Sequence, residues 1–154
     1  MNFSVVELKD YDLSLLNELI ELQKEAFGDL GLDKGTLPLM IRCGRVFILK
    51  KDNKVIGSAE FMKDWSDPKC AFLVGFSISE EEKQKGRGKY FMKEILNRLP
   101  GQLKTVRLTT SSENEAALGL YKQLGFEEVG FWKDAYGAGE DRLVLELHLR
   151  GLDE

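Results

Sequence analysis

Apolar positions recur along this chain with two periods, and the switches between them outline the elements. Leu13, Leu16, Leu19, Ile20, Leu22, Gln23, Ala26 and Phe27 form a stripe at helical spacing, after a short strand-like segment at Phe3 to Glu7. Gly28 to Gly35 is a loop rich in glycine and acid. Thr36 to Cys43 reads as a second short helix, with Pro38 near its start and Gly44 as its stop. Val46 to Lys50 and Lys54 to Met62 are strands joined by Asp52-Asn53, a hairpin turn pair. Ala71 to Ile78 is almost wholly apolar and of strand length, the pattern of a strand covered on both faces. Phe91, Met92, Ile95, Leu96 and Leu99 predict a helix over Tyr90 to Leu99, ended by Pro100-Gly101. A strand at Lys104 to Thr110, a helix at Asn114 to Leu124, and strands at Glu128 to Trp132 and Leu143 to Leu149 complete the chain.

This order is of the α/β (α+β) class. Ala71 to Thr110 is a strand–helix–strand unit, whose strands should run parallel through a right-handed crossover. The 154 residues carry no repeat or linker, so a single domain over 1–154 is expected. A formal net charge of -4 gives no general attraction to nucleic acid. Neither a secretory leader nor an apolar run of membrane-spanning length is visible, which points to a cytoplasmic protein without a membrane partner. Cys43 and Cys70 lie far apart and fit a reducing compartment. With His148 as the one histidine, a triad or a metal site has little to build on, and no metal is expected.

Chemistry concentrates in "SISEEEKQKGRGKYFM", Ser77 to Met92, where Lys83, Lys85, Arg87 and Lys89 surround Gly86 and Gly88 before a helix. The first-turn N–H groups of a helix lack internal partners and carry partial positive charge, so they accept a phosphate. A Walker A loop fails, because Lys83 stands where its first glycine belongs and Tyr90 follows Lys89. A dinucleotide fingerprint fails at Phe91. The run from Ile78 to Gly88 instead resembles motif A of the GNAT superfamily of acyl-CoA-dependent N-acetyltransferases, with Lys83 in the Arg/Gln place and Gly86 and Gly88 in register. "SSENEAALGLYKQLGFEEVG", Ser111 to Gly130, resembles the second signature of that family through Asn114, Ala117, Leu120, Tyr121, Leu124, Gly125 and Phe126.

The resemblance implies a mixed central sheet of about six to seven strands, helices on both faces and a splayed parallel strand pair. It implies acetyl-CoA as co-substrate, with its diphosphate on Lys83, Gln84, Lys85, Gly86, Arg87, Gly88 and Lys89. Phe76 and Ile78 would line the pantetheine through main-chain groups, and Asn114 would touch the coenzyme. Tyr121 would be the general acid and also contact the coenzyme; read from pattern alone it is a core aromatic of the helical stripe. Ser112 and Glu115 have capping-box spacing, and Gly125 suits the helix end. Gly75, inside a strand, is compatible with a bulge or a close approach, with plain packing as the alternative.

A general base is harder to find, since Ala71 to Ile78 holds no carboxylate. Glu60 on the preceding strand is the candidate, and an edge or surface acid is the simpler reading of it. Glu80 to Glu82 acting through water, or no dedicated base, are the alternatives. The acceptor walls implied by the family are Gly28 to Gly35 and Lys133 to Asp141, acidic through Asp29, Asp33, Asp134, Glu140 and Asp141, with Trp65, Trp132 and Tyr136 as aromatic surfaces for a cation. The expected activity is transfer of acetyl from acetyl-CoA to a primary amine of a small molecule or a peptide, by a monomer or homodimer. A non-catalytic acyl-CoA-binding sensor or scaffold is the alternative.

Overall fold

In the computed structural model, which describes residues 2–149, seven strands form one mixed sheet. The strands are β1 (Phe3–Glu7), β2 (Arg45–Lys51), β3 (Lys54–Lys63), β4 (Cys70–Ile78), β5 (Thr105–Thr110), β6 (Glu127–Trp132) and β7 (Arg142–His148). Their order is β1-β2-β3-β4-β5-β7-β6, with β4 and β5 parallel. The helices are α1 (Leu13–Phe27), α2 (Leu37–Cys43), α3 (Arg87–Leu96) and α4 (Glu115–Gln123). The residues group into two compact units: one extends to Met62 and adds Val74–Arg98, the other takes Lys63–Leu73 and the residues from Leu99 on.

In the first unit, β1, β2 and β3 form an antiparallel meander, Val5 facing Leu49 and Phe47 facing Ala59. The Asp52-Asn53 turn has φ of 49° and 72°, the paired left-handed geometry whose twist matches a hairpin. α1 begins at the cap Asp12, whose carboxylate accepts from Leu15 N at 2.8 Å. Its stripe buries Leu16, Leu19 and Ile20 against Leu37 and Ile41 of α2 and Val46, Ile48 and Val55 of the sheet. α3 buries Phe91, Met92 and Ile95, and Phe91 stacks on Phe76 at 5.5 Å between centroids. Since Phe76 alternates with Gly75 and Ser77, which face α1, these two helices cover opposite faces of the sheet.

In the second unit, β4 and β5 pair from Cys70↔Thr105 to Phe72↔Arg107, and β7 runs antiparallel to both β5 and β6. Val106, Leu108, Val144, Leu145 and Phe126 are buried there. Arg107 forms a two-pronged pair with Glu146, its Nε at 2.9 Å and Nη2 at 2.6 Å from Oε2.

Three expectations are corrected. α3 runs from Arg87 to Leu96, about three residues earlier at both ends than the stripe implies. Gly86, with φ of 79°, starts it, and its polar first turn is invisible to a hydrophobic pattern. At the far end, Leu99 precedes Pro100, which disfavours helical backbone. α4 is capped by Asn114, not Ser112. Finally, β4 is not covered on both faces throughout, because Val74 is 38% exposed.

Candidate active site

After β4 the chain makes a 3₁₀ turn at Glu80–Glu82 and then turns sharply into α3. Gln84 (φ 61°) and Gly86 (φ 79°) both take left-handed backbone. A Cβ on Gly86 would meet nothing within 4 Å, so conformation rather than packing asks for glycine there. Among the described residues no side chain caps α3, so its first-turn amides are suited to an external acceptor.

The charges around this loop divide in a way the sequence hides. Glu82, in the acidic run, is buried, and its carboxylate accepts from Lys51 Nζ at 2.9 Å and Arg87 Nε at 3.2 Å. The Lys51 bond, helped by Arg87, holds its carboxyl below the usual range. Arg87 also donates to the Lys85 carbonyl at 3.4 Å and lies 4.4 Å over the Phe3 ring. Its guanidinium therefore braces the loop, and its contribution to an anion would come from the main chain. Lys83 pairs with Glu80 at 3.0 Å on the exposed side.

Glu60 is not a surface acid. Its exposure is 0%, and burial pushes its carboxyl up to about 7 against the counter-pull of hydrogen bonds from Ser58 and Gln23. Gln23 Nε2 donates to Oε1 at 2.9 Å, whereas Oε2 has no hydrogen-bond partner among the described residues. Ser58 Oγ and Ser77 Oγ lie 3.2 Å apart, extending this polar cluster to β4.

Gly75 marks a close approach: a Cβ there would sit 2.6 Å from Glu60 Oε1. The carboxylate has little room to retreat, being held by Gln23, while the Phe27 ring lies 3.7 Å from the same Cβ position. Gly75→Ala is therefore expected to lower stability by about 1–3 kcal/mol, read as a lower denaturant midpoint. Unchanged stability would mean that the carboxylate is not fixed at this spot.

Beside Gly75, Phe76 and Ile78 point to the α3 face, Phe76 over Phe91 and Ile78 Cδ1 against Gly57. In the second unit, Asn114 Oδ1 accepts from Ala117 N at 3.2 Å, so the coenzyme contact expected of this residue would fall to its amide nitrogen. α4 ends in a Schellman turn: Phe126 N donates to Tyr121 O at 2.9 Å, and Gly125 N to Lys122 O at 3.0 Å, with Gly125 at φ 99°. The Tyr121 ring meets Phe126 edge-on at 5.4 Å, and burial pushes its phenol well above the usual range.

Several acids of the expected acceptor loops are occupied with their own backbone. Asp33 accepts from Gly35 and Thr36 amides, Asp134 from Gly139 N and Asp141 from Asp134 N. Trp65 is 96% exposed, Trp132 stacks on Phe72 at 6.0 Å, and Tyr136 carries Arg142 over its ring at 4.9 Å. Both cysteines are free thiols. Among the described residues, no cluster of His, Cys, Asp or Glu could hold a metal, and no helix is long and apolar enough to cross a membrane.

Comparison with known proteins identifies the family and the fold. The model of the acetyltransferase (GNAT) family matches residues 14–126. The ribosomal-protein-S18-alanine N-acetyltransferase from Escherichia coli shares the fold at a TM-score of 0.80 and 18% identity, over 99% of this chain and 99% of that one. An IAA acetyltransferase from Bacillus cereus aligns at 0.76 and 16% identity, over 96% of this chain and 100% of its own. A Bacillus anthracis protein assigned as a streptothricin acetyltransferase, in complex with acetyl coenzyme A, aligns at 0.61 and 23% identity over 69% of this chain and 62% of that one. No curated protein matches the sequence.

Proposed function

The chain belongs to the acetyltransferase (GNAT) family, and from that premise we propose that it transfers an acetyl group from acetyl-CoA to a primary amine of a small molecule, a peptide or a protein. The observation that carries the amine is Glu60. A primary ammonium of pKa ~10.4 is only about 0.04% neutral at pH 7, so attack on a thioester needs its proton removed. A carboxylate whose pKa is raised to about 7, with one oxygen unpartnered among the described residues, suits that task.

The other roles follow the family signatures. Acetyl-CoA supplies the activated acetyl group. Main-chain amides from Gln84 to Lys89, including those of Gly86, Arg87 and Gly88, bind its diphosphate, with Lys83, Lys85 and Lys89 adding positive charge. Main-chain groups of Phe76 and Ile78 hold the pantetheine, and the Asn114 side-chain amide donates to the coenzyme. Glu60 takes the amine proton, and Tyr121 gives its phenolic proton to the departing thiolate. The second nitrogen proton, acquired in excess when the amine attacks, passes from the tetrahedral intermediate to solvent as the C–S bond breaks; solvent also takes the proton from Glu60 and restores that of Tyr121. The cytoplasm, with its reduced thiols, is the proposed setting.

Free-thiol release from acetyl-CoA, measured against a panel of polyamines, aminoglycosides, amino acids and N-terminal peptides, tests this reading. Release that depends on the amine is expected. Coenzyme binding without amine-dependent release would mark a carrier-binding module, and displacement of CoA by ATP would mark a nucleotide site.

A further inference from the structure

Gln23 lies in the apolar stripe of α1 and is 1% exposed, where an unbonded amide would cost about 1–3 kcal/mol. Both of its ends are bonded. Leu32 N donates to Oε1 at 3.1 Å, and since an amide N–H can only donate, this bond turns Nε2 toward Glu60. The same nitrogen lies 3.4 Å from Ser58 Oγ. The loop sits closely on this residue as well: a Cβ on Gly31 would be 2.8 Å from the Gln23 carbonyl oxygen.

We infer that Gln23 is a positioning residue that couples the Gly31–Leu32 segment to the charge state of Glu60. The inference rests on the reading of Glu60 as the base. Ionisation strengthens the bond from Nε2, polarises the amide and makes its oxygen a better acceptor for Leu32 N–H. Protonation weakens both bonds. By reciprocity, an acceptor that orders the loop favours the ionised, proton-accepting state of Glu60.

Described residues placed around the carboxylate include Gln23 and Phe27 of α1, Gly75 of β4, Ser58 of β3 with Ser77 beyond it, and Val46, its register partner on β2. None of them is charged at neutral pH, so a titration seen at this spot is that of Glu60 itself.

The test follows the Glu60 side-chain carboxyl carbon and the Leu32 amide by NMR on the full chain across pH 4–9. In the wild type both signals should inflect at one common pH. In Gln23→Met, close in volume but unable to make either bond, the Glu60 midpoint should rise and the acid limb of thiol release should rise with it. Leu32 should lose its inflection and exchange its amide roughly tenfold faster. A wild-type Leu32 amide that ignores the Glu60 midpoint overturns the coupling, whether or not the Met variant folds. The base reading fails separately, if Glu60→Gln keeps full activity while the two wild-type signals still titrate together.

Discussion

Glu60→Gln should cut amine-dependent thiol release by about 10²–10⁴-fold and leave acetyl-CoA affinity unchanged. The amide keeps the shape of the side chain and loses its capacity to take a proton. In the wild type, the rate should climb as pH rises through about 7, where Glu60 ionises. The wild-type rate should level off above that pH, whereas residual activity in the variant should keep rising with the neutral fraction of the amine toward pH ~10. Stability gives a second readout with a fixed sign. The folded pKa lies above the ordinary carboxyl value of 4.5, so between those two values the folded state holds the extra proton. The contribution of Glu60 to wild-type stability is therefore fully present below 4.5 and is lost as pH rises through 7, by about 3 kcal/mol in all. The variant has no ionisation at that position and should not share this fall, so urea midpoints at pH 5 and pH 8 should converge in it. Full turnover in the variant would leave Glu60 as a buried strand acid with no part in the chemistry.

That carboxylate was the least legible part of the site. From Val55 to Phe61 every residue of β3 is buried, so alternation, the usual guide to which face a strand residue takes, carries no information there. A lone glutamate in such a run reads as an edge position. The clue lay in three separate anomalies: an amide at position 23 in an apolar stripe, an acid at 60 in a covered strand and a glycine at 75 in the next. They meet at one point, and only the pairing of strands brings them together. Glu82 was hidden in another way, because three consecutive acids look like a solvated link until one of them is found buried between Lys51 and Arg87.

Local signals were far more reliable. The Asp52-Asn53 turn, the stripe of α1 and the left-handed Gly125 depend on neighbours within a few residues, and each is found where the sequence places it. The α4 cap shows the limit of such signals. Ser112 and Asn114 are both competent caps two residues apart, and the structure selects Asn114. The loop proposed to bind the diphosphate was legible as a motif because a helix start, two glycines and cations are contiguous in sequence. Its brace to β2 through Glu82 was not.

Tyr121→Phe should lower turnover by about 10²–10⁴-fold with little change in coenzyme affinity or folding. The ring remains to meet Phe126, and the Schellman turn that ends α4 is made of backbone bonds that the substitution leaves in place. The phenol is pushed upward by burial, so it stays protonated across the working pH range, and the wild type should show no alkaline limb near pH 10. A donor of such low acidity does not protonate a resting thioester. It gives up its proton only as negative charge gathers on the departing sulfur, which requires donation and bond cleavage to proceed together. The deficit of the Phe variant should therefore shrink when the acyl group is carried on a more acidic thiol, such as an aryl thioester, which leaves without protonation. A loss of the same size with every leaving group, or a loss of coenzyme affinity or stability, would make Tyr121 a packing residue rather than the acid.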